Sequence, residues 1–430
     1  LERQVLVRYG RYNVVDGREL PAWLIVNGAD ATSEAALGLA AYVRAGGSPR
    51  ARRALSQFAA GIARMAAGST REWPFRALMP WGESISDWHA WGAQMPSGLA
   101  AASKALSVSQ LMGPAIGDTA GFTPLLMTAG GPDNGWLPTP IDRTQIAYGV
   151  DARLQGLLAV GRPGLKQVAA FVAAWYFGAN RAGQPMYDAS TGRTYDGLAG
   201  DGTINRNSGA ESTIHGQLSM LALDANPDVA RLTGTATYNG LQIVEAESAT
   251  GGQVVTPPSA WTGESQWSNG SYLALDSGAS ASWTLPPAGQ ARLVLPVVNL
   301  MDTPTPARTT WTAGNRTLGT LTHRCGPQGI SAAPGALQPL TLANSLPANA
   351  TSLTAESTGA AQLDALLLIP VISRMQVGDA VLLTSVDTQR RVVSVPGKTA
   401  YTYDAVGELV ARGNASRALV VPGGFTVVRG

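Results

Sequence analysis

The feature that most restricts this fold is a change of hydrophobic period near Pro227. From residue 1 to about 230, alanine and leucine recur at three- and four-residue spacing, the pattern of a buried helical stripe. TSEAALGLAAYVRA (32–45) reads as a helix stopped by Gly46-Gly47. The next has Ser48 as N-cap and Pro49 in its first turn, and runs through RARRALSQFAAGIARMAA to Gly68. A third is expected to begin near Ser84, to be interrupted at Pro96 and to continue through GLAAASKAL. Further helices are expected near 121–130, 143–160, 163–178 and 208–223. Beyond Pro227, short apolar runs such as LQIVEAES, ASWTL, ARLVLPVVNL and LDALLLIPVIS alternate with Gly, Pro, Asn and Ser turns, which is the signature of a β-sandwich. A last group of strands, from AVLLTSV to FTVVRG, forms its own small β unit.

Composition narrows the function. The 430 residues carry a net charge of +2 with only 14% charged side chains and no basic run, so neither nucleic acid nor an anionic membrane surface is suggested as partner. No apolar stretch approaches the ~20 residues of a membrane span. Cys325 is the only cysteine, which excludes an internal disulfide and thiolate metal clusters. The chain starts at Leu1 without a methionine and reads as a processed product or a fragment. Low charge, one cysteine and Ser/Thr/Gly-rich strands fit a secreted or cell-surface protein.

Within the sandwich region, QIVEAESATGG holds Glu245 and Glu247, SNGSYLAL holds Gly270-Ser271-Tyr272, and Asp364 precedes an apolar run. Two residues apart on a strand, Glu245 and Glu247 would face the same side. Facing carboxylates repel unless a cation joins them, and Ca2+ takes such oxygen ligands; solvated carboxylates are the alternative. Asp364, on a strand beside the first, could add a third ligand. Over residues 241–375 this arrangement resembles jelly-roll carbohydrate-binding modules of families 6 and 35. The resemblance implies a structural calcium at Glu245, Glu247 and Asp364. Trp267 and Tyr272 are candidates for stacking on sugar rings, with burial in the core as the alternative.

In the helical half, WGESISDWHAWG (81–92) and YDGL…NRNSGAESTIHG (195–216) gather aromatic, acidic and amide groups in loops leading into helices. These segments resemble the loops of (α/α) toroids in secreted glycoside hydrolases and polysaccharide lyases. A six-pair toroid needs twelve helices and the sequence shows seven or eight, so the toroid is either truncated or completed by a partner chain or upstream segment. Glycosidic hydrolysis calls for two carboxyls across a cleft, and Glu83, Asp87, Asp196 and Glu211 are the candidates. Trp88, His89, Trp91, Trp136, Tyr195 and Asn205 are candidates for substrate contact. Ser84 with Asp87 and Ser208 with Glu211 equally read as capping boxes. His215 reads as a packed histidine, and His323 has no evident partner. The three histidines lack zinc spacing, and there is no GxSxG elbow or P-loop.

The expected architecture is an α/α toroid-like helical domain (1–230), a jelly-roll β-sandwich (240–375) and a small C-terminal all-β domain (376–430). The expected function is that of a secreted glycoside hydrolase acting on a polysaccharide. The alternatives are a non-catalytic glycan-binding or structural surface protein and a polysaccharide lyase.

Overall fold

The computed structural model describes residues 6–84, 86, 89–135, 143–263, 265–324 and 335–430. Helix α1 spans Ala29–Arg44 and α2 spans Pro49–Ala63. The Ser48 hydroxyl accepts the Ala51 amide at 3.2 Å and Pro49 opens α2, as the sequence dictates. Helix α3 is Met95–Leu106, and here Pro96 opens the helix instead of interrupting it. Its missing N–H falls where no intrahelical partner exists, so it costs nothing there. Ser84 starts no helix: its hydroxyl lies 3.1 Å from that of Ser86 in a loop, and helical turns begin only at Ala90.

Helices α4 (Met112–Ile116) and α5 (Thr123–Gly130) are joined by a π-helical stretch, Gly117–Phe122. Buried Asp118 in that stretch pairs with buried Arg153 at 3.0 Å and accepts the Leu78 amide at 3.0 Å. Helices α6 (Ala147–Val160), α7 (Pro163–Ala173) and α8 (Ala210–Ala225) follow. In space α1 packs on α3, α3 on α6 and α6 on α8, with α2 against α1 and α3 and α7 against α6. This is an open row; among the described residues the twelve helices of a full toroid are not present. Along α8, Ile214, Leu218 and Leu221 are 56%, 42% and 63% exposed and form an apolar strip on the surface.

The capping box expected at α8 is not made. The N-cap is Gly209 with no side-chain cap, and the Ser208 hydroxyl lies 3.0 Å from that of Thr213. The helix start is held from outside: Asp196 accepts the Gly209 amide at 2.9 Å and the Ser212 hydroxyl. A carboxylate at a helix N-terminus also complements the dipole.

The β region forms two units. Strand β1 (Ala236–Asn239) precedes the sandwich but does not join it. One sandwich sheet contains β2 (Gln242–Glu245), β3 (Gln253–Val255) and β4 (Tyr272–Leu275). The other begins with β5 (Ser280–Thr284), after which β6 (Arg292–Leu300) returns to the first sheet. β7 (Arg308–Ala313) and β8 (Arg316–Thr322) lie in the second, β9 (Ala336–Pro339) in the first, β10 (Ser352–Ser357) in the second and β11 (Ala361–Pro370) in the first. The sheet orders are β3-β4-β11-β6-β9, with β2 also on β11, and β5-β10-β7-β8. Trp283 and Trp311 stack between the sheets at 5.5 Å.

Strands β12 (Ile372–Val377), β13 (Ala380–Ser385), β14 (Thr399–Tyr403), β15 (Leu409–Asn414) and β16 (Phe425–Arg429) form the last sheet, ordered β15-β14-β16-β13-β12-β1. The C-terminal unit therefore takes its edge strand from before the sandwich. The three regions also share a core. Both faces of β6 and β11 are buried: Val294, Val298, Leu363 and Leu368 point into the sandwich. Leu293, Leu295, Val297 and Leu367 join one cluster with Leu78, Met95 and Phe122 of the helical half and Leu382 and Phe425 of the C-terminal sheet. Arg76 donates to the Ala405 carbonyl at 2.7 Å, and the Thr128 and Thr384 hydroxyls meet at 3.0 Å. A long apolar strand buried on both faces reads as a near-continuous hydrophobic run, which is what RLVLPVVNL is. Among the described residues no helix is long and apolar enough to cross a membrane.

Candidate functional site

The N-terminus of α1 builds one wall of a cleft. Asp30 and Glu34, one turn apart, lie on the same helix face. The Asp30 carboxylate folds back over Gly28, where an added Cβ would stand 2.3 Å from Asp30 Oδ1 and would push that carboxylate aside. The opposing loop is tied on by the Ala29 amide to the Pro80 carbonyl (2.7 Å), Gly82 to the Asn27 carbonyl (2.7 Å), and Asn27 Nδ2 to Glu83 Oε1 (2.9 Å). Val26 sits at φ +47° and is 83% exposed. A β-branched residue in the left-handed region is strained, and such strain collects at functional sites. Val26, Gly28, Asp30, Pro80, Trp81 and His89 line a cavity of about 320 Å³. His89 Nε2 is held 2.8 Å from Asn134 Nδ2, whose loop is anchored by buried Asp133 bonded to Arg143 (2.9 Å), Gln145 (2.8 Å) and Arg181. A larger groove of about 680 Å³ beside Asn239, Gln290 and Arg292 has no carboxylate among its described lining residues.

Helices α6 and α8 carry a second group of titratable side chains, which interacts with Asp30 and Glu34 of α1. His215 Nδ1 lies 2.8 Å from Asp151 Oδ2, and Asp151 Oδ1 accepts from the Ser219 hydroxyl (2.8 Å) and Gln155 Nε2 (3.2 Å). A carboxylate only accepts, so the imidazole donates from Nδ1 and keeps Nε2 for proton transfer. The Tyr148 ring packs edge-on to His215 at 4.8 Å. Burial pushes the Glu34 carboxyl above the usual carboxylate range; a hydrogen bond from Gln94 and the nearby His215 offset this, while Asp30 and Asp151 add to it. The Tyr148 phenol is raised well above its ordinary value, first by burial and then by Glu34, Asp30, Glu211 and Asp151. Four carboxyls and one imidazole thus share one electrostatic environment, of which Asp30 also lines the cavity.

Of the residues picked from sequence, Glu211 joins this environment and His89 lines the cavity. Glu83 braces the rim through Asn27, and Asp196 caps α8. Tyr195 lies under the guanidinium groups of Arg193 (6.0 Å) and Arg206 (5.3 Å), while Asn205 Oδ1 accepts the Asn207 amide at 3.1 Å within its own loop. Asp87, Trp88 and Trp136 lie outside the described residues, as does the Trp91 side chain. Sequence reasoning missed Asp30, Glu34, Tyr148 and Asp151 and took His215 for packing. The available signal was spacing, Asp30/Glu34 and Glu211/His215 each being four apart. His323 has a partner after all: its Nε2 lies 2.8 Å from the Thr309 hydroxyl.

The second candidate site lies in the sandwich. β2 ends at Glu245, and Glu247 sits in the one-turn helix Ala246–Ser248, so the pleat does not place the two on one face as expected. β11 pairs with β2, Ala365 opposite Glu245, which brings Asp364 alongside. Asp364 is 0% exposed. Its Oδ1 accepts the Ser268 amide at 2.7 Å, and Glu245 Oε1 accepts the Ser268 hydroxyl at 3.0 Å. Glu245 Oε2, both Glu247 oxygens and Asp364 Oδ2 are buried without a partner. Burial raises all three carboxyls, Asp364 well above its usual value; Glu245 and Glu247 push Asp364 further, and Glu245 pushes Glu247. Orphaned anionic oxygens in common burial are a donor set for a hard cation. They are not drawn into a finished cluster: among the described residues no three Asp, Glu, His or Cys side chains stand close enough to hold a metal as they are. Carboxylate oxygens are the donor type that a hard cation such as Ca2+ takes. Trp267 is 3% exposed and its ring lies 4.5 Å from that of Tyr272, so it is an interior residue, not a surface platform.

No known sequence family and no curated protein matches the chain. Among solved structures it is similar to the catalytic domain of a GH87 alpha-1,3-glucanase in complex with nigerose, at 18% identity and a TM-score of 0.24, over 30% of this chain and 27% of that one. The catalytic unit of the GH87 alpha-1,3-glucanase of Streptomyces thermodiastaticus strain HF3-3 gives 20%, 0.24, 31% and 26%. The CBM36-1 domain of a multidomain xylanase from the hindgut metagenome of Trinervitermes trinervoides gives 18% and 0.21, over 30% of this chain and 95% of that one. The chain spans under a third of the glucanase chains it matches, and likenesses this weak carry no functional weight.

Proposed function

We propose that this is a secreted, glycan-active enzyme that hydrolyses glycosidic bonds of a neutral polysaccharide in the helical cleft. The observation that supports it is that Glu34, Asp30, Glu211 and the Asp151–His215 pair are electrostatic neighbours, with Asp30 also lining the cavity. Glu34, whose proton is retained to higher pH by burial, protonates the leaving oxygen as the C–O bond breaks. Water attacks the anomeric carbon and gives its proton to His215 Nε2, while Asp151 stabilises the resulting imidazolium. Asp30 and Glu211 supply negative charge where the sugar becomes oxocarbenium-like. The same field opposes a uronate polymer, which favours hydrolysis over a lyase reaction and an uncharged chain over an acidic one. Tyr148 itself is disfavoured as a base, because burial and the neighbouring carboxylates raise its phenol well above the ordinary value.

In the same reading Glu245, Glu247 and Asp364 hold Ca2+ in the sandwich. An ion held there would offset two of the three carboxylate charges and would be structural. Reducing-end release from neutral and acidic polysaccharides, with the Glu34→Gln variant as control, tests the reading. Release from acidic polymers alone, or equal release by the variant, would overturn it.

A further inference from the structure

The cation pocket is connected to the cleft through one short loop. Ser268, which donates its amide to Asp364 and its hydroxyl to Glu245, directly follows Trp267. Trp267 belongs to the core that the sandwich shares with the helices, not to the sandwich's own interior. On the same loop the strand pair Trp261–Thr262 and Ser265–Gln266 turns back on itself. Thr262, the register partner of Ser265, is fixed to Asn299 Oδ1 (3.2 Å), Asn299 Nδ2 to Gln362 Oε1 (2.7 Å) and Gln362 Nε2 to the Tyr272 hydroxyl (3.3 Å). The tip of the strand pair reaches the helical half: the Ser265 hydroxyl lies 3.5 Å from the Ser86 carbonyl, and both serines are 0% exposed. Ser86 lies in sequence between Trp81 and His89, both of which line the cavity.

We infer that a cation held by Glu245, Glu247 and Asp364 sets the order of the cleft's loop wall, with Trp267 and Ser265 as the positioning residues between them. Three buried carboxylates that repel one another loosen the Ser268 turn that two of them anchor. A divalent ion offsets that repulsion and fixes the turn, and Trp267 and Ser265 pass the constraint to Ser86 and so towards the described residues Trp81 and His89 at the cavity. The inference rests on the cation reading above.

The test is hydrogen exchange on the full chain with and without Ca2+, alongside Tb3+ luminescence sensitised by the neighbouring tryptophan as an independent measure of binding. Ca2+ should slow exchange in peptides covering 261–271 and 81–91 by about tenfold. Glu247→Gln should lose both effects and the luminescence. Ser265→Ala should keep the luminescence and the protection at 266–271 but lose that at 81–91. Binding without any change at 81–91 would overturn the coupling and leave the cation site standing. Absence of Tb3+ and Ca2+ binding would overturn both.

Discussion

Single residues carry the chemistry proposed for the cleft, and each has a consequence that can be measured. Glu34 titrates above the usual carboxylate range because burial disfavours its charge. As an acid it must be protonated, so kcat should fall as pH rises through that raised value, and Glu34→Gln should lower kcat by about 10²–10⁴. The stability contribution of Glu34 follows pH in the same sense. A carboxyl with a raised folded-state pKa stabilises the fold at low pH and loses that contribution as pH rises, so at neutral pH the uncharged Glu34→Gln variant should melt no lower than wild type. Asp151→Asn should leave the imidazole in place but spoil its tautomer, costing kcat by a similar factor.

His323 is a structural counterpart. Burial lowers its pKa to about 4, from 6.5. The unfolded chain therefore takes up a proton first, and stability is lost as pH falls from 6.5 towards 4, by about 3 kcal/mol at most. His323→Gln should flatten the pH dependence of Tm across that window.

At the scale of elements, α8 shows what could be read in the sequence and what could not. Its existence was legible in the spacing of IHGQLSMLAL, but its cap was not, because the capping carboxylate of Asp196 arrives from thirteen residues away. Asp196→Ala should cost about 1 kcal/mol, seen as a lower Tm. The β-strands were legible for the same local reason, down to the doubly buried RLVLPVVNL. The pairing of β1 with β12 was not, since nothing within ATYN says which sheet it joins. The cleft was hidden in the same way: Asp30 and Glu34 on α1 gain meaning only once Asp151 and His215 stand near them. The strip of Ile214, Leu218 and Leu221 is exposed in the folded chain. Replacing all three by serine should leave Tm within a degree or two, and a clear fall would show that another surface covers them.

The molecule as a whole behaves as one body, because one apolar cluster runs through helices, sandwich and C-terminal sheet. Thermal unfolding should accordingly show a single transition, and Ca2+ should raise it as a unit. The raised carboxyls of Glu245, Glu247 and Asp364 set the pH dependence. Without the ion they stabilise the fold only while protonated, and that contribution is lost as pH rises through their raised values. Protons and Ca2+ compete for the same oxygens, so the Ca2+-induced rise in Tm should grow with pH above the usual carboxylate range and shrink in acid.

The most direct test of the central claim is reducing-end release by the full chain from matched neutral and uronate polysaccharides, for wild type and Glu34→Gln. Release from a neutral polymer that falls by two or more orders of magnitude in the variant, with Tm preserved, is the expected result. A variant as active as wild type would contradict the account, as would a wild type that cleaves only the uronate polymer.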